Sequence, residues 1–346
     1  MSFYDMKNEI IKKCLLTVAM PAMIAATGMA QTAEKADLQA TVTKQVAFPE
    51  TVPAGNYSGI TWLGGNEYAV VSDKATADGF FIFHINIDPD TGVISHAYSN
   101  EYRNADRPNR DMEGIAYVAE DSTVFISGEA DNRIMEYRLK NGMRTGRELE
   151  MPDSMSISAP NYGYEALTYC AATRKFWTMS ESTLPVDGTP ASPANKVENR
   201  LRLLCFDKDM KLTAQYPYRM DMPVVKSSSA DMYAMGVSAL CALDDGRLLV
   251  LEREAFVPKL KIGAFVNCKI YVVDPDDSSY SVALHKKLLT EFKTRFTGLA
   301  KDFANYEGMC LGPKLNDGSQ VVVMISDSQN QYKGVMKDWL RTVVIK

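Results

Sequence analysis

One short pattern recurs five times along the chain and limits what it can fold into. A Ser or Glu is followed by a Gly or Ala and then an apolar residue; about 13 residues later an apolar run ends in an acid. The copies are Ser58-Gly59-Ile60 with Asp73, Glu113-Gly114-Ile115 with Glu129, and Glu165-Ala166-Leu167 with Glu181. Ser238-Ala239-Leu240 with Glu252 and Glu307-Gly308-Met309 with Asp327 complete the set. Counted on the second residue (59, 114, 166, 239, 308), the spacings are 55, 52, 73 and 69. The position two further on is always small: Thr61, Ala116, Thr168, Cys241, Cys310. Small residues at both places let strands approach closely, as crowding around a central axis requires.

The segments between the copies fit strands. FFIFHINI and the stretch 93–102 are strand-length pieces, and Asp-Pro-Asp-Thr-Gly (88–92), Asn141-Gly142, Asp244-Asp245-Gly246 and Asn316-Asp317-Gly318 mark turns. Twenty candidate strands fall between Ala40 and Lys346, enough for five repeats of four. The count requires that 40–48 completes the last sheet beside 341–346, which closes a ring and hides an open edge. Only Leu289 to Phe303 reads as helical. The expectation is an all-β chain with a single β-propeller of five four-stranded blades, closed by its N- and C-terminal strands. Six blades is the runner-up, because the gaps of 73 and 69 have room for a degenerate blade. A pair of β-sandwiches gives no reason for the same step in every unit.

Lys7, Lys12 and Lys13 precede an apolar stretch, Leu15 to Ala26, and Gly28-Met29-Ala30 offers a small-x-small cleavage site. That order is a secretory signal, and the stretch is shorter than the ~20 residues of a membrane span. Residues 1–30 are therefore expected to be a signal peptide, 31–39 a disordered linker and 40–346 the folded domain, exported and monomeric. Cys170, Cys205, Cys241, Cys268 and Cys310 follow that segment, an odd number in apolar settings and without CxxC, which suits buried free thiols. With 38 basic and 43 acidic residues the net charge is -5, which argues against a nucleic-acid partner. His84, His96 and His285 are the only histidines and are scattered. No GxSxG, GxxxxGK[ST] or HExxH sequence occurs.

In a propeller the first strand of each blade lines the channel. Glu113, Glu165 and Glu307 should then converge at one mouth, with Ser58 and Ser238 in the equivalent places. The second strands return Asp73, Glu129, Glu181, Glu252 and Asp327 to the same end. So many carboxylates repel unless a cation, basic side chains or protons offset them. Oxygen donors favour a divalent cation, Ca²⁺ ahead of Mg²⁺, with Glu113, Glu165, Glu252, Glu307 and Asp327 as candidate ligands. Arg253, Arg133, Lys74 and the cluster Arg103, Arg107, Arg110 are the basic candidates for pairing with the acids or holding an anionic small molecule. The alternative is that the acids only brace neighbouring blades.

The steps DMEGIAY (111–117), NYGYEALTY (161–169), VSALCALDDGRLLVLERE (237–254) and ANYEGMCLGPKLNDGSQVVVMISDSQNQ (304–331) resemble the phytase-like family, the "esterase-like activity of phytase" domain. The resemblance spans about residues 55 to 331 and is most specific in its last segment. It implies a bacterial periplasmic or secreted protein whose shared acids carry phosphoester chemistry. Glu113, Glu165, Glu252, Glu307, Asp327 and Asn330 carry over as site candidates, and Arg253 matches the family's arginine after the strand. Glu113, Glu165, Glu307 and Arg253 are the catalytic candidates, and Arg133, Lys74 and Asn330 the substrate-binding ones. Ser58 and Ser238 depart from the acidic pattern. A calcium-dependent lactonase or carboxylesterase, or a non-enzymatic binding propeller, remains the alternative.

Overall fold

The five repeated steps supply the innermost strands of five antiparallel sheets. The computed structural model describes residues 35–152, 163–225, 230–277, 283–298, 301–332 and 336–346. The expected signal peptide and the first part of the linker lie outside the described residues. Residues 38–346 build the ring. Two short strands, β1 (Ala40–Val42) and β2 (Val46–Ala47), come first. The first blade is β3 (Tyr57–Gly64), β4 (Glu67–Ser72), β5 (Gly79–Ile87) and β6 (Ile94–Asn104). The second is β7 (Met112–Val118), β8 (Thr123–Gly128), β9 (Arg133–Arg138) and β10 (Arg144–Glu148). The third is β11 (Ala166–Cys170), β12 (Lys175–Met179), β13 (Arg200–Phe206) and β14 (Leu212–Arg219). The fourth is β15 (Ala230–Ala242), β16 (Leu248–Pro258), β17 (Ala264–Val273) and β18 (Lys286–Phe296). The fifth joins β19 (Asn305–Lys314), β20 (Gln320–Asp327) and β21 (Trp339–Ile345) to β1, with β2 also on β21. The chain is a five-bladed β-propeller.

Five apolar cores hold the ring, one at each blade-to-blade interface. In β4, Tyr68 and Val70 face the fifth blade while Ala69 and Val71 face the second. In β20, Val321, Val323 and Ile325 meet the first blade, and Val322 and Met324 meet the fourth. A strand buried on both faces must be apolar at every position, which is why these runs do not alternate in the sequence. All five described cysteines are buried free thiols within these layers, as expected.

The ring closes as anticipated. Ala40 pairs with Ile345 and Val42 with Val343, antiparallel. Gln39 already exchanges both backbone hydrogen bonds with Lys346, so pairing begins inside the stretch expected to be linker. The long gaps hold longer elements rather than a sixth blade. Residues 180–199 connect β12 to β13, and β15 to β18 run 13, 11, 10 and 11 residues. The helix expected over Leu289 to Phe303 is instead mostly strand: β18 pairs with β17 from Lys286 to Phe296. Its β-branched and aromatic residues, Thr290, Phe292, Thr294 and Phe296, fall at every second position, the period of a strand.

Candidate functional site

The first residue of each repeated step is displaced from regular pairing. Ser58, Glu113, Ser238 and Glu307 lie where the register of inner and second strand shifts, between Tyr57 and Gly59, Met112 and Ile115, Val237 and Ala239, and Tyr306 and Gly308. Glu165 immediately precedes β11. Such a bulge re-aims a side chain out of the ladder, and here it does so at one end of the axis. The glycine that follows is needed for close approach. A Cβ on Gly59 would stand 2.4 Å from the Glu113 carbonyl oxygen, and one on Gly114 2.5 Å from that of Glu165. Ser58 donates to the Met112 carbonyl at 2.7 Å and Ser238 to that of Tyr306 at 3.1 Å. The two serines thus brace the next blade, while the glutamates remain at the mouth.

The strand register identifies what each second strand returns. Asn305 pairs with Asp327, Asn56 accepts from the Asp73 amide, Asp111 from that of Glu129, and Gly163 from that of Glu181. Each of these partners lies two residues before the repeated step. In the fourth blade that place is Gly236, and its partner is Arg253. Among the described residues, seven carboxylates (Asp73, Glu113, Glu129, Glu165, Glu181, Glu307, Asp327) therefore share the mouth with one guanidinium.

Arg253 is buried among them. Its Nη2 lies 2.8 Å from Glu181, 3.2 Å from Glu307 and 3.7 Å from Glu165. Its Nη1 donates to Asn305 Oδ1 at 2.7 Å, and Asn305 Nδ2 donates to Glu307 at 2.7 Å. Burial opposes the charge on Arg253, but Glu307, Glu181, Glu165 and Asp327 outweigh it and raise its pKa. Burial, then neighbouring carboxylates, pushes Glu113 well above the ordinary carboxyl range. Glu165 and Glu307 are also raised well above it by burial, although Arg253 pulls both back. Asp327 is raised by burial to about 6, against hydrogen bonds from Gln329. Behind the glutamates, Ser58, Ser238 and the following residues leave a void of about 10 Å³, room for about one water.

Glu252, expected at the mouth, faces the other way. One residue from Arg253 on a strand, it accepts from Tyr218 at 2.7 Å and Lys286 at 2.6 Å. Lys286 also reaches Asp221 at 2.8 Å, so this acid belongs to a buried network on the face toward the third blade. Lys74 is at the rim, bridging Asp73 at 3.2 Å and Asp111 at 3.0 Å. Arg133 is exposed on β9 and binds Glu148. Asn330 is exposed in a turn after β20, its amide donating to Gly55. Arg103 pairs with Glu101 and Arg110 with Asp131, while Arg107 is exposed. The structure thus gathers Glu113, Glu165, Glu307, Asp327 and Arg253, and leaves Glu252, Arg133 and Asn330 apart from them. Glu181 and Asn305 are central too. Glu181 was legible as the acid 16 residues after Glu165, the offset of Glu129 from Glu113.

The donor set fits a hard cation in chemistry and charge. Every donor is oxygen, and Asp73 Oδ1 and Glu165 Oε2 are buried without accepting a hydrogen bond. The site is not preassembled, since among the described residues no three ligating side chains are gathered to hold a metal ion.

Fold and site together define a propeller with an acid-ringed axial mouth centred on one arginine. The family model for phytase-like domains, described as esterase-like activity of phytase, matches residues 52–329. The chain belongs to the phytase-like family. No curated protein matches it. Among solved structures, the PQQ-bound aldose sugar dehydrogenase of Streptomyces coelicolor is 11% identical, with TM-score 0.45 over 90% of this chain and 99% of that one. The endo-arabinase of Bacteroides thetaiotaomicron is 10% identical, with TM-score 0.45 over 85% and 96%. A luciferin-regenerating enzyme is 10% identical, with TM-score 0.43 over 88% and 95%. These likenesses are too distant to support any argument.

Proposed function

We propose that the chain hydrolyses phosphoesters at the axial mouth, on the inner-strand glutamates and Arg253. The observation that carries this reading is the set of Glu113 and Glu307 on register shifts and Glu165 just before β11, gathered at one mouth with a buried guanidinium. Burial raises the proton affinity of all three, and a carboxyl kept neutral in this way can act as an acid. Glu113, held well above the ordinary carboxyl range by burial and not paired with Arg253, suits protonating the leaving oxygen. Asp327, raised only to about 6, suits accepting the proton of the attacking water. Water oxygen then bonds to phosphorus, the ester P–O bond breaks, and the leaving alcohol departs with the Glu113 proton. Arg253 offsets charge on the phosphoryl oxygens. Glu165, Glu307 and Asp73 would hold a divalent cation, Ca²⁺ ahead of Mg²⁺. When bound it supplies charge neutralisation and Lewis acidity.

The test is hydrolysis of a p-nitrophenyl phosphate ester. EDTA and Glu307→Gln are each expected to lower the rate at least ~100-fold, the scale of losing one charge-stabilising or proton-transfer group. Activity that survives both changes rejects the reading. One observation favours a second reading, a lactonase or carboxylesterase: seven carboxylates against one arginine admit neutral esters more readily than anions. A lactone and carboxylester panel run beside the phosphate panel separates the two. Turnover on neither would leave a ligand-binding propeller in which the acids brace blades, as Glu129 does by accepting from the Gly163 amide at 3.1 Å.

A further inference from the structure

The fourth blade is taller than the others. The second strands of the first, second, third and fifth blades end at Ser72, Gly128, Met179 and Asp327, level with the mouth. In the fourth blade the mouth level is the Gly236–Arg253 pair, and all four strands continue past it. Ala230 still pairs with Pro258, Phe256 with Phe265 and Ala264 with Phe296. Five further residues on β16 make a ridge of about 17 Å beside the mouth.

Its tip is apolar and exposed. Leu260 is 85% exposed and Ile262 64%, between β16 and β17, and Met232 alongside is 55% exposed. Val224 adds a further exposed apolar side chain, held near the ridge by its amide on Glu254. Phe256 and Phe265 stack at 5.6 Å just below, with Lys293 Nζ 4.0 Å from the Phe265 ring centre. The ridge (230–235, 254–267, 293–296) carries four bases, Lys259, Lys261, Lys293 and Arg295, against two acids, Asp231 and Glu254. Glu254 is buried and accepts from the Val224 and Val225 amides and the Tyr233 hydroxyl. Asp231 pairs with Lys261. The ridge is therefore basic at its surface on a chain of net charge -5.

We propose that this ridge docks the protein on an anionic lipid surface. A protein partner wants a broad apolar face, whereas a narrow apolar tip with lysine stems beside it suits an interface. There Leu260 and Ile262 enter the acyl boundary while the ammonium and guanidinium groups stay at the phosphates. The aromatic pair beneath falls at headgroup depth. Because the ridge rises on the mouth side, docking turns the mouth toward the membrane. The proposal does not depend on the hydrolase reading.

The full chain is sedimented with phosphatidylcholine vesicles, with and without phosphatidylserine. Binding to the phosphatidylserine vesicles is expected, weakened at least about tenfold by Leu260→Ser with Ile262→Ser, the scale of exposing two aliphatic side chains. Lys259→Glu with Lys261→Glu should weaken binding only to the anionic vesicles. All of these side chains are exposed, so thermal melts should stay at the wild-type value and separate lost docking from lost folding. Wild-type protein that stays in solution with both vesicles overturns the proposal. So does undiminished binding by the Leu260, Ile262 variant. A wild-type dimer in sedimentation velocity that the same variant dissolves would make a second copy the occupant instead.

Discussion

Arg253 occupies a place that is acidic in the other four blades, and the acids around it are arranged on its charge. Removing it leaves Glu165, Glu181 and Glu307 with no counter-ion at 2.8–3.7 Å. Arg253→Met should therefore cost about 3–5 kcal/mol, the range for breaking a buried pair from one side. Arg253→Lys should cost less, because it keeps the charge while losing the reach to Asn305. Urea midpoints at neutral pH measure both; equal values for Met and Lys would show that charge is not what Arg253 supplies. The repeated step made Glu113, Glu165 and Glu307 legible in the sequence, since each opens its unit. The fourth unit was misaligned by one residue, to Glu252. Alternate residues of a strand face opposite ways, so one residue of slip selects the wrong face. The register break at Ser238 is a property of pairing that counting along the chain cannot supply. Asn305 was missed because it carries no charge, although Asn56 and Asp111 stand at the same offset before their own steps.

At the scale of elements, ring closure was foreseen because an unpaired last sheet would leave an edge. β1 covers β21 over Ala40 to Val42, and Thr43 adds a hydroxyl contact of 2.9 Å to Thr342. β2 adds Val46 on Leu340 and Ala47 on Trp339. A chain starting after Ala47 should retain the blades but expose the β21 edge. It should melt lower by about 5 °C, as a loss of a few kcal/mol gives in a domain of this size, and associate edge to edge. Melting and size-exclusion profiles check this; an unchanged melting temperature would mean that the interblade cores alone close the ring. The height of the fourth blade was not legible, because extra strand length and an extra degenerate blade produce the same long spacing. Likewise β18 read as helix because its buried positions are few and its exposed ones charged.

For the whole molecule, the concentration of acids at one mouth sets how stability depends on pH. Burial raises the pKa of Asp73, Glu113, Glu129, Glu165, Glu181, Glu307 and Asp327 above the ordinary 3.8 or 4.5. The folded chain then holds protons that the unfolded chain has released, so stability falls as pH rises through this window. For Asp327 the window runs from 3.8 to about 6. A shift of about two units corresponds to about 3 kcal/mol, present below the ordinary value and lost above the folded one. Asp221 acts in the opposite sense. Burial would raise it, but hydrogen bonds from Lys269, Lys286 and Tyr271 hold it below 3.8. Its contribution is present at neutral pH and disappears in strong acid. The two together place the maximum of stability near about pH 4, with a decline as pH rises through about pH 6 and another in strong acid. Asp327→Asn, which stays neutral throughout, should flatten the profile between about pH 4 and pH 6 and exceed the wild type near neutrality. Urea midpoints across the range decide it. A wild-type stability that climbs steadily from about pH 5 to pH 8 would mean the acids are ionised at the ordinary pH and offset by something other than protons. In that case the divalent cation becomes the first candidate, and the climb should vanish in EDTA.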